Sequence, residues 1–248
     1  MGTILTNRIK VFLLFAGLIQ AAATMVGCFQ PESSFANKQD DIRATFGGKS
    51  EAVMPVAVDQ RTENSVQRYG MLVQHYSNRY DLDWRLVMAV MRHESRFVAD
   101  AVSSKGAFGL MQIMPATQLE LAGKLGVDET STPLNNIKAG AFHLQQLYRA
   151  IEADDEDNHI RLTLAAYNAG LNRILDAQDV AVYLGDDPNK WESIKSALPL
   201  LSKRYQGLHH NIWPSGKPRA GFFTDWHQTI SYVESVMSYY GHYQVALK

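Results

Sequence analysis

Glu94 is the residue whose type and position best suit acid–base chemistry in this chain. It follows Leu86 and Val90 at steps of four, so its carboxyl continues the apolar stripe of a predicted amphipathic helix. Burial and the negative end of the helix dipole both disfavour ionisation, so we expect a raised pKa. Such a carboxyl can act as a general acid toward a glycosidic oxygen. The alternative is a surface glutamate paired with Arg92 or Arg96.

A glycine-rich turn follows the predicted helix. Gly106 and Gly109 allow the backbone to turn tightly and to approach a ligand closely. Gln112 offers an amide donor and an acceptor for sugar hydroxyls or an acetamido group. Pro115 fits the first turn of a new helix that we expect to reach residue 125. Without further context, these residues also describe an ordinary loop.

Three sequence blocks resemble the lytic transglycosylases related to goose-type lysozyme. The first comprises Glu94-Ser95, Ser103 and residues 106–112 (GAFGLMQ); residues 136–140 (NIKAG) and 165–170 (AAYNAG) form the second and third. Their order and spacing match the family pattern. Residues 191–240 further resemble the catalytic domain of a membrane-bound branch of this family. That branch also carries an amino-terminal solute-binding-like domain, for which this chain has no room, so we expect a stand-alone catalytic domain.

The resemblance implies an all-α, lysozyme-like helical domain with a substrate groove. It also implies cleavage of the β-1,4 bond between N-acetylmuramic acid and N-acetylglucosamine in peptidoglycan glycan strands. Glu94 would protonate the leaving oxygen and then act as base toward the muramic acid C6 hydroxyl, which closes a 1,6-anhydro ring. The substrate's acetamido group would stabilise the intermediate. A second enzymic carboxylate is then unnecessary, unlike in the usual two-carboxylate scheme.

The resemblance also implies a set of substrate-contacting residues around Glu94, matched position by position. They are Ser103, Gln112, Met114, Tyr167, Gln228 and Tyr232. Gln228 departs from the family, which often has a glutamate there, so it keeps hydrogen-bonding capacity and loses the charge. Asp100, the nearest acid downstream of Glu94, is predicted to be a solvated turn residue. His93 is predicted to lie at the surface, because adjacent helical residues do not face each other.

Two other functions fit the same residues. A muramidase would hydrolyse the same bond, and it would need a positioned water and a second carboxylate near Glu94. A non-catalytic peptidoglycan-binding lipoprotein of a secretion apparatus would fit an exposed Glu94 and a blocked groove.

Residues 1–27 predict a lipoprotein signal peptide. Arg8 and Lys10 precede an apolar run that is too short and too interrupted for a permanent membrane span. Residues 25–28 (MVGC) resemble a lipobox, and Cys28 is the only cysteine, so no intrachain disulfide is possible. We expect lipid attachment at Cys28, whereas the alternative is an ordinary buried thiol.

Residue 29 refines the expected location. Phe29 stands where an aspartate often retains lipoproteins at the inner membrane. We therefore expect a lipid anchor in the bacterial cell envelope, on the inner face of the outer membrane and facing the periplasm. Secretion or cell-wall machinery are possible partners of a protein placed there.

Composition completes the domain plan. Residues 28–64 are polar and mixed, which indicates a flexible tether, and residues 65–248 are predicted to form the catalytic domain. The net charge of −1 gives no electrostatic footprint for nucleic acid. The eight histidines are scattered or adjacent, so the sequence predicts no metal site and no cofactor.

Apolar periodicity predicts helices that position the candidate residues. Asp83 is the predicted N-cap of the Glu94 helix, and an earlier helix is expected through Tyr69 and Tyr76. Further helices are predicted at 135–151, 160–167, 171–183, from 187 toward 197, and at 226–243. Residues 207–221, with two prolines, are predicted to form a long loop over the groove. No run of alternating strands is expected.

Overall fold

The computed structural model describes residues 57–126 and 132–247, and these residues form an all-α fold. The helices are α1 (Gln60–Arg79), α2 (Trp84–Ser95), α3 (Pro115–Leu125), α4 (Pro133–Ala150), α5 (Glu156–Ala169), α6 (Leu171–Leu184), α7 (Trp191–Ala197), α8 (Gln206–Ile212) and α9 (Trp226–Ala246), with 3₁₀ helices at Leu198–Leu201 and Lys203–Tyr205. In these ranges, β pairing is limited to isolated bridges of Phe108 with Val102 and Ile113. The all-α prediction is confirmed.

The amino-terminal predictions lie outside the described residues. They are the signal peptide at residues 1–27, the lipidation site Cys28 and the tether up to residue 56. Among the helices that the structure describes, none has the length and apolar character needed to cross a membrane.

Helix α2 is the central element of the fold. Residues 86–91 are all buried, so this helix is surrounded on nearly every side. It packs against α1 and α9, and α9 also packs against α5. Met88 and Met91 have no exposed surface, and burial of such a side chain contributes about 1.5–3 kcal/mol. The packing fixes the last turn of α2, which carries Glu94, against α9.

Asp83 caps α2, as its sequence position predicts. Its Oδ1 accepts a hydrogen bond of 2.9 Å from the Arg85 backbone N–H. The Tyr240 hydroxyl donates to Asp83 Oδ2 at 3.0 Å, which joins the start of α2 to α9. At the other end, Arg96 adopts a left-handed conformation (φ 51°) and its N–H donates to the Arg92 carbonyl, so the helix ends there.

Two predicted boundaries are wrong. Helix α1 begins at Gln60, because the Asp59 side chain accepts from the Thr62 N–H at 3.1 Å and caps the helix. Residues 60–64 therefore belong to the helical domain and not to the tether. The predicted loop at 207–221 begins with α8, whose His209 is buried and bonds through Nε2 to the Leu200 carbonyl at 2.7 Å. This tertiary contact stabilises a helix in a sequence rich in glycine and proline.

Residues 213–225, the approach segment to α9, are bound to α6 through a buried carboxylate. Asp176 has no exposed surface and accepts from the N–H groups of Arg219 and Ala220 at 3.1 and 2.8 Å. Nearby, Trp213 Nε1 donates to Asp179 at 3.0 Å. These bonds fix the point from which α9 starts toward Glu94.

Candidate active site

Glu94 lies in the last turn of α2, where it interacts with tyrosines of two other helices. Burial raises the pKa of Glu94 to about 7, and the hydroxyl of Tyr232 offsets a part of that rise. Burial and the charge of Glu94 raise the pKa of Tyr167 and of Tyr232 well above the usual value for tyrosine. The site therefore combines one titratable carboxyl with two neutral phenols, from α2, α5 and α9.

The Tyr232 hydroxyl is buried beside Glu94 without a full hydrogen bond. The side chain is 3% exposed, and its oxygen has no partner of hydrogen-bond geometry among the described residues. It is still close enough to Glu94 to influence the pKa of the carboxyl. A buried hydroxyl without a partner is uncommon, and it is available to a ligand or to a rotated carboxyl.

His93 corrects the prediction of a surface residue. It is half-buried, and its ring packs against Tyr232 with a centroid distance of 4.7 Å and an interplanar angle of 79°. Burial lowers the pKa of His93, so the neutral imidazole is favoured. The sequence rule was sound for contacts within α2, but it did not include the position of α9.

Tyr167 bonds to the glycine-rich turn. Its hydroxyl donates to the Met111 carbonyl at 2.8 Å, and its ring lies 5.5 Å from the His143 ring. Residues 106–113, the active-site turn, thus contact α5. Phe108 and Ile113 also exchange two backbone hydrogen bonds of 3.1 Å each, which close the turn on itself.

Helices α2 and α4 hold the same turn from two further sides. Ser95 Oγ, next to Glu94, donates to the Leu110 carbonyl at 2.9 Å. On α4, Asn136 Oδ1 accepts from the Met111 N–H at 2.8 Å, and Nδ2 donates to the Phe108 carbonyl at 2.9 Å. Asn136 lies in the second family block, and its sequence position alone does not indicate this contact.

The other residues predicted to contact substrate differ in their exposure and in the side-chain groups that remain for a ligand. Gln112 uses its Nε2 for the carbonyls of Ala101 and Gly109 at 3.0 and 2.9 Å, so its side-chain oxygen is the group left for a ligand. Ser103 Oγ accepts from the Ala107 N–H at 2.9 Å. Met114 is 42% exposed at the start of α3, and Gln228 is exposed in the first turn of α9.

No second acid acts on Glu94 among the residues that the structure describes. Burial and Tyr232 account for the shift of its pKa. Asp100, the nearest downstream carboxylate, is exposed. A search of the same residues for three clustered histidine, cysteine, aspartate or glutamate side chains finds no group that could hold a metal ion.

Backbone strain accumulates beside the carboxyl. Arg96 and Phe97, which follow Glu94-Ser95, have φ values of 51° and 65°, and Gln112 has a φ of 46°. A non-glycine residue in this region costs about 1–3 kcal/mol and persists only where its surroundings enforce it. Outside this group, Asp81 is the one other non-glycine residue with positive φ in the described ranges.

The class of protein follows from a comparison with sequence families. The family described as "Transglycosylase SLT domain" matches residues 71–183, which include Glu94, the active-site turn and Tyr167. Residues 71–183 are therefore similar to a transglycosylase SLT domain.

Two individual relatives are similar to most of this chain. The chain is 32% identical over 182 residues to the membrane-bound lytic murein transglycosylase F of Desulfosudis oleivorans, covering 73% of this chain and 37% of that protein. It is also 32% identical over 185 residues to the membrane-bound lytic murein transglycosylase F 1 of Alkalilimnicola ehrlichii, covering 74% of this chain and 35% of that protein. The chain thus spans little more than a third of the length of these relatives.

A solved structure shares the fold. The 70-kDa soluble lytic transglycosylase, crystallised with bulgecin A, matches 75% of this chain and 25% of its own, with a TM-score of 0.51 and 23% identity. This likeness concerns the fold alone, and it agrees with the predicted lysozyme-like helical architecture.

Proposed function

We propose that residues 60–248 form a peptidoglycan lytic transglycosylase domain, a carbon–oxygen lyase. Its substrate would be the β-1,4 bond between N-acetylmuramic acid and N-acetylglucosamine. The main support is the half-buried carboxyl of Glu94, whose pKa of about 7 lets it both donate and accept a proton near neutral pH. The SLT match and the names of the relatives agree with this function.

The proposed reaction has two steps. The Glu94 carboxyl first gives its proton to the glycosidic oxygen, the bond from muramic C1 to that oxygen breaks, and the acetamido oxygen of the same sugar bonds to C1. The Glu94 carboxylate then removes the proton of the C6 hydroxyl, whose oxygen bonds to C1 and displaces the acetamido oxygen. The product carries a 1,6-anhydro ring, no water is consumed, and Glu94 ends protonated as it began.

The remaining predicted contacts are proposed to hold the sugars on either side of the cleaved bond. Ser103 lies just before the active-site turn, the side-chain oxygen of Gln112 belongs to it and Met114 follows it. Gln228 lies one turn before Tyr232 on α9. The lack of a second carboxylate acting on Glu94 within the described ranges favours ring closure over hydrolysis, because a muramidase would need a base for its water.

We also propose attachment to the bacterial envelope through a lipid on Cys28. The support is the lipobox-like segment 25–28 (MVGC) and the "membrane-bound" designation of the relatives. An anchor on the inner face of the outer membrane would hold the domain near the glycan strands, where it would serve wall turnover or a secretion apparatus.

Mass analysis of the soluble products tests the reaction. Purified peptidoglycan is incubated with residues 29–248, with Glu94→Gln, and with Glu63→Gln as a matched control on the exposed side of α1. We expect muropeptides about 18 Da lighter than hydrolysis products from the unmodified chain and the control, and none from Glu94→Gln. Hydrated reducing ends would establish a muramidase. Wall binding without any product would favour a non-catalytic peptidoglycan-binding role.

A further inference from the structure

We infer that Asn136 is a positioning residue for the reaction proposed above, acting through the active-site turn and Tyr167. The inference rests on the proposed function. Asn136 lies in the first turn of α4 and is buried, and its side chain reaches a segment more than twenty residues earlier in the chain. Its side-chain bonds go to the active-site turn, so we expect its effect on catalysis to pass through the groups that it holds.

The Asn136 side-chain amide bonds to one backbone donor and to one backbone acceptor of the active-site turn. Its oxygen accepts from the Met111 N–H at 2.8 Å and its nitrogen donates to the Phe108 carbonyl at 2.9 Å. A single side chain therefore fixes the orientation of two peptide planes on either side of Gly109. Aspartate would keep the acceptor and lose the donor, whereas an aliphatic residue would lose both.

Gly109 is shaped to receive this amide. A Cβ atom added to Gly109 would lie 2.6 Å from the Asn136 amide carbon and nitrogen, closer than non-bonded atoms allow. Its φ of 82° also favours glycine. Gly109 and Asn136 thus form one interlocking pair, which explains why two separate family blocks meet here.

The orientation set by Asn136 reaches the catalytic carboxyl. The Met111 residue that donates its N–H to Asn136 accepts the Tyr167 hydroxyl on its carbonyl at 2.8 Å. The charge of Glu94 acts on Tyr167, so the phenol lies within electrostatic reach of the carboxyl. A turn that rotates at Met111 would move Tyr167 or release its hydroxyl, and small misplacements of this kind lower turnover strongly.

The test compares turnover with substrate affinity. We expect Asn136→Ala to lower kcat by about tenfold to a hundredfold while KM changes by less than about threefold. Asn136→Asp, which retains the Met111 bond, should lose less. Asn78→Ala, an exposed asparagine of α1, is the matched control. All variants are assayed well below their unfolding temperatures, so a loss of stability does not pass for a loss of turnover.

Two further measurements separate positioning from simple support of the fold. The loss in kcat from Tyr167→Phe should shrink when Asn136→Ala is already present, because both changes break the same path. Hydrogen exchange of the Met111 amide should accelerate in Asn136→Ala but not in Asn78→Ala. A lower unfolding temperature with unchanged kcat and additive effects would overturn the inference.

The exchange measurement also separates this inference from the proposed function. An unmodified chain that yields no anhydro product would reject the proposed function, and the positioning role would fall with it. Normal turnover together with an unchanged Met111 exchange rate in Asn136→Ala would reject the inference alone.

Discussion

The carboxyl of Glu94 changes its charge near neutral pH, because burial raises its pKa to about 7. The ordinary glutamate value of 4.5 would leave it ionised and unable to protonate a leaving group. Tyr167 and Tyr232 stay neutral beside it. The Tyr232 hydroxyl can donate a hydrogen bond to the carboxylate form, whereas the Tyr167 hydroxyl donates to the Met111 carbonyl. Glu94 can therefore serve as both acid and base, and the two tyrosines beside it remain neutral.

Turnover should fall as pH rises through about 7, because the first step needs protonated Glu94 and the pKa of the carboxyl is about 7. The measurement is kcat against pH between 5 and 9 on a soluble glycan substrate. A profile flat up to pH 9 would contradict the acid role of Glu94.

Glu94→Gln should stabilise the fold at alkaline pH. The folded state binds the Glu94 proton more tightly than the unfolded state, so stability is full below pH 4.5 and decreases until the pH passes about 7. We expect the gain from Glu94→Gln to be about 2 kcal/mol larger at pH 8 than at pH 5. Urea unfolding at both values measures it, with Glu63→Gln as the control, and an equal effect at both would refute the shift.

Tyr232→Phe should separate catalysis from stability. The Tyr232 hydroxyl is buried without a full hydrogen bond, so its removal should change the free energy of unfolding by less than about 1 kcal/mol. Turnover should fall about tenfold, because the carboxyl loses the neutral donor that Tyr232 supplies. Calorimetry and kcat on the same sample check both parts. Tyr243→Phe, which breaks a 3.0 Å bond to Thr62, serves as the contrasting case that loses stability.

Among the secondary-structure elements, α2 carries Glu94 and packs against α1 and α9, so its position determines the position of the site. Asp83 caps its start and also accepts from Tyr240 of α9, so one carboxylate sets both the helix start and the contact with α9. Burial alone would raise the pKa of Asp83, but hydrogen bonds from Arg85 and Tyr240 hold it below its ordinary value. The charged form is therefore the stabilising one.

Asp83→Ala should lower the free energy of unfolding by about 1–2 kcal/mol at pH 7, as expected for a lost N-cap. Asp83→Asn should lose less, because an amide oxygen can still cap the helix. Since the pKa is depressed in the folded state, the advantage of aspartate over asparagine should begin to shrink as pH falls below 3.8, and it is lost as pH falls through the lower folded value. Chemical denaturation at pH 7 and 3 measures this, and a gap that is equally large at both pH values would contradict it.

The sequence predicts those parts of the fold that depend on residues close to one another in the chain. The Asp83 cap and the stripe through Leu86 and Val90 are encoded within a dozen residues, so α2 and the raised pKa of Glu94 followed from the sequence. The start of α1 and the helix α8 were missed, because Asp59 resembles any polar residue and His209 is stabilised by a partner on another segment.

The site itself was only partly predictable. Glu94 and Tyr167 carry family motifs, whereas the packing of His93 on Tyr232 depends on how α2 and α9 meet. Residues 94, 167 and 232 are far apart in sequence, and no local pattern records their distance. Gly109 is required because the Asn136 side chain packs against it. The sequence shows the glycine, but the reason for it is evident only from the contact in the structure.

At the scale of the whole molecule, the residues of the buried core extend in sequence from Tyr69 to Tyr243. The first and last helices are joined by the bond of Thr62 to Tyr243, so the domain closes on itself within the described residues. Stability and turnover should therefore depend on this part of the chain, and the predicted anchor should determine only its location.

Cys28→Ser should change location without changing chemistry. In cells, the variant should lose incorporation of labelled palmitate and move from the membrane fraction to the soluble fraction. Purified residues 57–248 should keep the kcat of residues 29–248 on isolated peptidoglycan. Labelling, fractionation and the product assay measure these outcomes. Continued palmitate labelling of Cys28→Ser would reject the anchor.

The left-handed residues at 96, 97 and 112 make heat resistance and activity competing demands on this domain. Glycine at 96 or 112 would relax a backbone that L-residues adopt reluctantly, and a selection for survival at high temperature would favour it. The same change would loosen the chain directly after Glu94 or within the active-site turn. Homologues adapted to hot environments should therefore gain their stability elsewhere in the helices and keep these strained positions.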